Sequence, residues 1–245
     1  MAQPRYRSTY HSEYFPPGVK WLLILNTVIF VLMVVVVRDH ETFLRLFGLS
    51  ARGTLLQGRI WQPVTYLFVH GGFTHLLFNM LSLWMFGTQI ERDWGTRRFV
   101  RYYMYCGLAA AVCVLVANAI VGDWTRPTIG ASGAVFGVLV AFGMMYPEQT
   151  ILMNFLFPIK AKYLVMIYAA IQLVTTLGPN TGVSTMAHLG GMAFGYLYMR
   201  STRGRAPTIG KLPDLGGIYK QWKLQRAKKK FQVYMRKHGN GPWVN

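Results

Sequence analysis

The sequence predicts an all-α, polytopic membrane protein built as a bundle of six spanning helices. Three observations carry that prediction. Of 245 residues, 53% are apolar and only 14% charged, too few charges for an ordinary soluble domain. The apolar residues gather in long windows that recur along the chain. The formal charge of +18, from 26 basic and 8 acidic residues, sits mainly in the last 46 positions and in the connections. That distribution suits membrane topology rather than nucleic-acid binding, and no nucleic-acid partner is expected.

The predicted spans are, in order, Val19–Val37, Thr74–Ile90, Phe99–Val121, Ser132–Tyr146, Lys162–Leu177 and Gly182–Met199. Each approaches the roughly 17–25 residues a crossing requires, with the fourth and fifth at or below the short end. The first follows Arg5, Arg7 and Lys20, the order of a signal peptide, but runs into Arg38-Asp39-His40 with no small-residue cleavage site. It reads as an uncleaved span. The long connection 38–73, partly in the outer leaflet, contains the aromatic stretch Ile60–Phe68, too short to cross and expected at the interface. Residues 1–18 form a short N-terminus, 19–199 the membrane domain, and 200–245 a basic tail. Within the tail, 218–238 interleaves aromatic and basic residues as an amphipathic helix suited to anionic lipid. Cys106 and Cys113 lie two helical turns apart within one span, too far to bond each other.

Charge orients the bundle. From Arg200 onward there are twelve Lys/Arg against one acid, Asp214, and the turn Glu91–Arg98 is strongly basic. The connection between the fifth and sixth spans has no charge. Both termini are therefore expected in the cytoplasm. Arg38, Arg45, Arg52 and Arg59 in the first connection run against the rule, accompanied by Asp39 and Glu41.

That topology puts the N-terminal ends of the second, fourth and sixth spans in the outer part of the membrane. The unusual polar residues His75, Asn79, Ser132 and His188 all fall within the first two turns of those spans. At 1.5 Å per residue they share one layer, about 5–10 Å below the outer surface. Intramembrane polar residues face the bundle interior or a cavity and mark function by default. His75 and Asn79 are i, i+4 and share a helix face. Gly133/Gly137 and Gly191/Gly195 are GxxxG pairs that allow close helix approach, which brings Ser132 within reach of His188. The glycines around Ser132, Gly130 and Gly133, are expected to leave room for an extended substrate strand.

Four motifs in order, HGGFTHLLFN (His70–Asn79), ERDWGTRR (Glu91–Arg98), GASG (Gly130–Gly133) and AHLGGMAFG (Ala187–Gly195), resemble those of the rhomboid intramembrane serine proteases. The resemblance covers about Val19–Met199. It implies a six-helix rhomboid-like bundle with a serine–histidine dyad in a water-accessible cavity. By position, Ser132 is the implied nucleophile and His188 the general base, with His75, Asn79 and the Ser132 backbone N–H at the oxyanion. His70 matches a further histidine near the cavity mouth. Phe136 stands where a tyrosine often stacks on the catalytic histidine. The implied partners are transmembrane protein substrates, cut near the outer end of their spans; with no extra spans or organelle-targeting segment evident, the expected location is a bacterial plasma membrane.

The chemistry is self-consistent: His188 takes the Ser132 proton as the carbonyl is attacked and returns it to the leaving amine. No acidic residue lies in the last three spans, so packing against Phe136 is expected to fix the imidazole. Each residue also has a plainer reading. Ser132 could bond back to its own helix, either histidine could be packing, and Asn79 could be helix–helix glue. The histidines lack the carboxylate or HExxH arrangement of a metalloprotease, so neither metal nor other cofactor is expected. A transporter would show internal repeats around a midplane site, which this chain lacks. A catalytically silent rhomboid-like binding module is the alternative from another class.

Overall fold

The computed structural model describes residues 15–153, 157–177 and 183–201. The chain divides into two compact units, Met1–Ala206 and Pro207–Asn245. The expected amphipathic helix at 218–238 lies outside the described residues, as do residues 1–14.

Nine helices are described: α1 Pro17–Val36, α2 His40–Phe47, α3 Gln62–Thr65, α4 Phe73–Ser82, α5 Thr88–Trp94, α6 Thr96–Val121, α7 Ser132–Met145, α8 Ala161–Leu177 and α9 Val183–Ser201. A π-helical stretch, Leu83–Gly87, joins α4 to α5 without a break in the helical path. Each predicted span therefore has a helical counterpart. Between α7 and α8 the all-α expectation fails, because β1 (Thr150–Met153) and β2 (Phe157–Lys160) form a short antiparallel hairpin, Thr150 opposite Lys160. Glu148, just before it, pairs with both Lys160 and Lys162. Their hydrogen bonds hold its carboxyl at about 2, so the exposed clasp at the start of α8 stays ionised well into acid.

Only α1 and α6, among the described residues, are long and apolar enough to cross a membrane by length and composition. The count of six is not carried by length. With 14 residues, α7 extends about 21 Å, against a hydrocarbon core of about 30 Å. It is nevertheless buried on nearly every side, as befits a helix apolar all round. Outward faces of α1, α6, α8 and α9 instead expose Val35, Ile120, Val174 and Leu197, an apolar exterior that a soluble bundle would hide.

Two polar clasps fix the ends of this bundle. Glu91, buried midway along α5, accepts from the Gly18 and Val19 backbone N–H groups, both at 2.7 Å. Thr96 Oγ1 donates to the same carboxylate at 2.6 Å. A carboxylate so placed satisfies donors that the first turn of α1 leaves free and complements its dipole. Arg98 lies 4.6 Å from the centre of the Trp94 ring. At the opposite end Gln62, fully buried, donates to the Arg45 carbonyl at 2.8 Å and accepts from Thr54 Oγ1 at 3.1 Å. Within Ile60–Phe68, expected at the interface, Ile60, Trp61 and Val64 are exposed. Tyr66 and Leu67 are buried, and the Tyr66 hydroxyl donates to the Gly107 carbonyl of α6 at 2.7 Å. Alternation of the chain into a 3-10 turn at Tyr66–Phe68 turns these side chains inward.

The core lies where α6, α7 and α9 meet. Cys106, buried and unbonded to Cys113, fills the space over Gly137. A β-carbon on Gly191 would overlap the Gly133 carbonyl oxygen, and one on Gly195 would stand 3.1 Å from Gly137 Cα. These glycines allow α7 and α9 to touch backbone to backbone. Tyr102 of α6 donates to the Gly137 carbonyl at 2.7 Å.

A Gly191→Ala exchange drives a methyl into backbone that has no rotamer to yield. It is expected to cost about 1–3 kcal/mol or more, read by equilibrium unfolding in mixed micelles. Gly72→Ala, in open space and on extended backbone, provides the comparison.

Candidate active site

Ser132 is the first residue of α7. The segment leading to it is fixed from the first connection. Leu49 and Thr128 exchange backbone hydrogen bonds at 2.8 Å each way, and the Gly130 N–H donates to the Tyr66 carbonyl at 2.9 Å. Extended backbone is thereby paired inside the protein. Gly130 has φ +114°, a region that disfavours a side chain. A β-carbon there would also stand 2.6 Å from His75 Cε1. The His75 ring thus rests directly against the Gly130 backbone, two residues before Ser132.

Ser132 Oγ lies 2.7 Å from His188 Nε2, which α9 supplies. Both residues are half-buried. Phe136, one turn beyond Ser132, packs on the imidazole with ring centroids 4.5 Å apart and planes 33° from parallel. The other imidazole nitrogen, Nδ1, lies 2.8 Å from Gln172 Oε1 on α8. Serine, imidazole and carboxamide form one continuous chain of hydrogen bonds across three helices. With Ser132 donating to Nε2, Nδ1 carries the hydrogen and donates to Gln172.

Asn79 is buried, and its Nδ2 donates to the His75 carbonyl at 2.8 Å, within its own helix. One amide hydrogen is used this way, leaving the second for another acceptor. His70 is fully buried and meets His75 edge-on, centroids 5.0 Å apart. It therefore stands behind His75 rather than at an open mouth. A cavity of about 300 Å³ opens between α4, α7 and α8, lined by Asn79, Ser132, Phe136 and Tyr168 with apolar neighbours such as Phe78 and Leu139.

Two expectations need correction. Gly130 and Gly133 do not clear space for a substrate strand. Gly130 receives His75, and a β-carbon on Gly133 would meet Ala110 Cβ at 2.6 Å and the Ala187 carbonyl at 3.1 Å. Their small size serves packing within the protein. Nor is the imidazole held by packing alone, because Gln172 supplies a polar partner that sequence reasoning missed. The signal was present. Gln172 is a polar residue inside an apolar span, at i+4 from Tyr168 and i+8 from Leu164, hence on the inward stripe of α8. Among the described residues no three of His, Cys, Asp and Glu gather at one point.

A lipid-facing helical bundle holding a serine hydroxyl against a histidine beside an apolar cavity is an integral membrane protein with the parts for nucleophilic chemistry. The family model described as Rhomboid domain matches residues 57–204, well over half of the chain, which belongs to the rhomboid family. It is 32% identical over 153 residues to the rhomboid protease GluP of Bacillus subtilis (strain 168), covering 61% of this chain and 27% of that protein. It is 29% identical over 195 residues to the rhomboid protease AarA of Providencia stuartii, covering 72% of this chain and 69% of AarA. The mitochondrial Rhomboid protein 1 of Saccharomyces cerevisiae is 37% identical over 144 residues, 54% of this chain and 38% of the relative. The chain thus spans from about a quarter to about two thirds of the length of these relatives.

Gly130→Ala is expected to destabilise more than Gly58→Ala, although both glycines have positive φ. Each exchange costs about 1–2 kcal/mol of backbone strain. Only at Gly130 does the new methyl also strike an imidazole, adding about 1–3 kcal/mol. Equilibrium unfolding of the two variants side by side measures the difference.

Proposed function

We propose that this chain is an intramembrane serine endopeptidase that cuts transmembrane segments of other membrane proteins, using Ser132 as nucleophile and His188 as general base. The observation that carries this reading is the 2.7 Å approach of Ser132 Oγ to His188 Nε2. Membership of the family supports it, as do the relatives named as proteases. In the reaction Ser132 Oγ attacks the peptide carbonyl carbon while its proton passes to Nε2. Collapse of the tetrahedral adduct breaks the C–N bond, and His188 returns the proton to the leaving amine. Water, deprotonated by the same nitrogen, then releases the acyl group.

The negative charge on the carbonyl oxygen is met by the Ser132 backbone N–H, the free Asn79 amide hydrogen and His75. The apolar cavity between α4, α7 and α8 suits side chains of an unwound spanning helix arriving from lipid past α8. Unwinding is required because a helix hides its carbonyls in its own hydrogen bonds. Segments with small or helix-weakening residues near the outer end are therefore the favoured substrates. The orientation taken is six spans with both termini cytoplasmic, on the distribution of Lys and Arg. The basic residues of the tail then face the anionic leaflet.

The test is cleavage of a single-span substrate by the full chain in liposomes. Ser132→Ala and His188→Ala are each expected to lose on the order of 10³-fold or more in kcat. Asn79→Ala is expected to lose about 10²–10³-fold, and chelator is expected to change nothing. Cleavage that survives Ser132→Ala would refute the proposal. Wild type that binds the substrate without cutting it would favour a silent binding module instead.

A further inference from the structure

We infer that Gln172 is a positioning residue for His188: its carboxamide oxygen holds the imidazole in the tautomer that leaves Nε2 free to take the Ser132 proton. The inference rests on the proposed role of His188 as base. It starts from a chemical requirement. An imidazole that accepts at Nε2 carries its hydrogen on Nδ1, and that N–H needs an acceptor in a site with little water. A carboxylate usually serves, and no acidic residue lies anywhere in α7, α8 or α9. Gln172 Oε1, 2.8 Å from Nδ1, is an acceptor of the right geometry that brings no charge into the membrane interior.

The alternative tautomer would set Nδ1 as acceptor and Nε2–H against the serine hydroxyl, leaving Ser132 without a base. The Gln172 amide could then turn its NH₂ group toward Nδ1, so the amide alone does not choose. The choice follows from the two bonds together: with the Ser132 hydroxyl donating to Nε2, only the carbonyl end of the amide can serve Nδ1. Gln172 sits on the inward stripe of α8, and its backbone carbonyl is bonded by Thr175 and Thr176 hydroxyls at 3.0 and 2.7 Å, which tightens the last described turn of the helix. Ring position is set separately by Phe136, which itself meets Tyr168 of α8 at 5.8 Å. Two contacts from α8, one direct and one through Phe136, thus bear on His188. Competence of the base is thereby tied to where α8 lies, and α8 also borders the cavity that the substrate must fill.

The groups facing the imidazole are Ser132 and Phe136 from α7 and Gln172 from α8, and His75 is the titratable residue that α4 brings to the site. Replacing Gln172 by an acid therefore adds the one negative charge to the site. Three proteins in liposomes decide the matter, each assayed for kcat, KM and the pH–rate profile on the same single-span substrate. Gln172→Met keeps the volume and removes the acceptor. It is expected to lower kcat by roughly 3- to 10-fold with KM little changed, the effect of one neutral hydrogen bond. Gln172→Glu is expected to retain or exceed the activity of Gln172→Met. The acid limb of its profile should move to higher pH by about one unit, since the carboxylate favours the imidazolium.

Wild-type kcat in Gln172→Met would overturn the inference. So would loss of activity in both variants with the acid limb unmoved, the pattern of a merely structural side chain. If Gln172→Met does not fold, the profile of Gln172→Glu decides alone. Persistent cleavage by Ser132→Ala would instead remove the dyad reading beneath it. An inert Ser132→Ala beside a fully active Gln172→Met removes only the role of Gln172.

Discussion

The backbone contact between α7 and α9 is the constraint on which the rest of this structure depends. Lipid offers helices no hydrophobic reason to associate, so close van der Waals packing and interhelical hydrogen bonds must do it. Here Gly191 lies against the Gly133 carbonyl and Gly195 against Gly137. That closeness, more than any property of the two polar side chains, sets Ser132 Oγ within 2.7 Å of His188 Nε2. A helix pair at an ordinary separation of about 8–10 Å between axes would keep the same residues and lose the hydrogen bond. Tyr102, donating to the Gly137 carbonyl, and Cys106, filling the space above that glycine, press α6 into the same seam.

The shortness of α7 is the second half of the arrangement. A helix that starts at Ser132 leaves its first N–H groups and its partial positive end beside that hydroxyl, which suits the oxyanion role proposed for the Ser132 N–H. Starting a helix inside a membrane leaves the preceding chain in need of partners. The first connection supplies them, through Leu49 with Thr128 and Tyr66 with Gly130. Its buried Gln62 and Tyr66 are therefore part of what holds the serine in place. The hairpin and the Glu148 clasp anchor only the start of α8, while its far end carries Gln172 to the imidazole.

Much of this could be read in the sequence. Periodicity and apolar windows located all the helices that correspond to predicted spans, with ends displaced by a few residues. The small residues at Gly133, Gly137, Gly191 and Gly195 announced the helix seam, because only glycine permits such approach. Tyr66 was harder. An aromatic in a short amphipathic stretch looks interfacial, and only the fold reveals α6 in front of it. The direction in which Gly130 and Gly133 face was also illegible. A missing side chain marks a close approach without saying whether substrate or protein makes it. Gln172 was overlooked for a different reason. Its neutral amide resembles helix glue, and attention to a triad directs the eye to acids. The hairpin escaped because the residues at 150–160 are apolar and few, a run that periodicity cannot assign.

The proposed chemistry needs a serine made nucleophilic by one histidine. The most direct measurement is covalent labelling of the full chain in liposomes with a serine-directed fluorophosphonate, with the adduct located by mass spectrometry. The expected result is a single adduct on Ser132, formed by the wild type and lost in His188→Ala. Labelling of Ser132 that proceeds equally without His188, or an adduct on some other serine, would contradict the account.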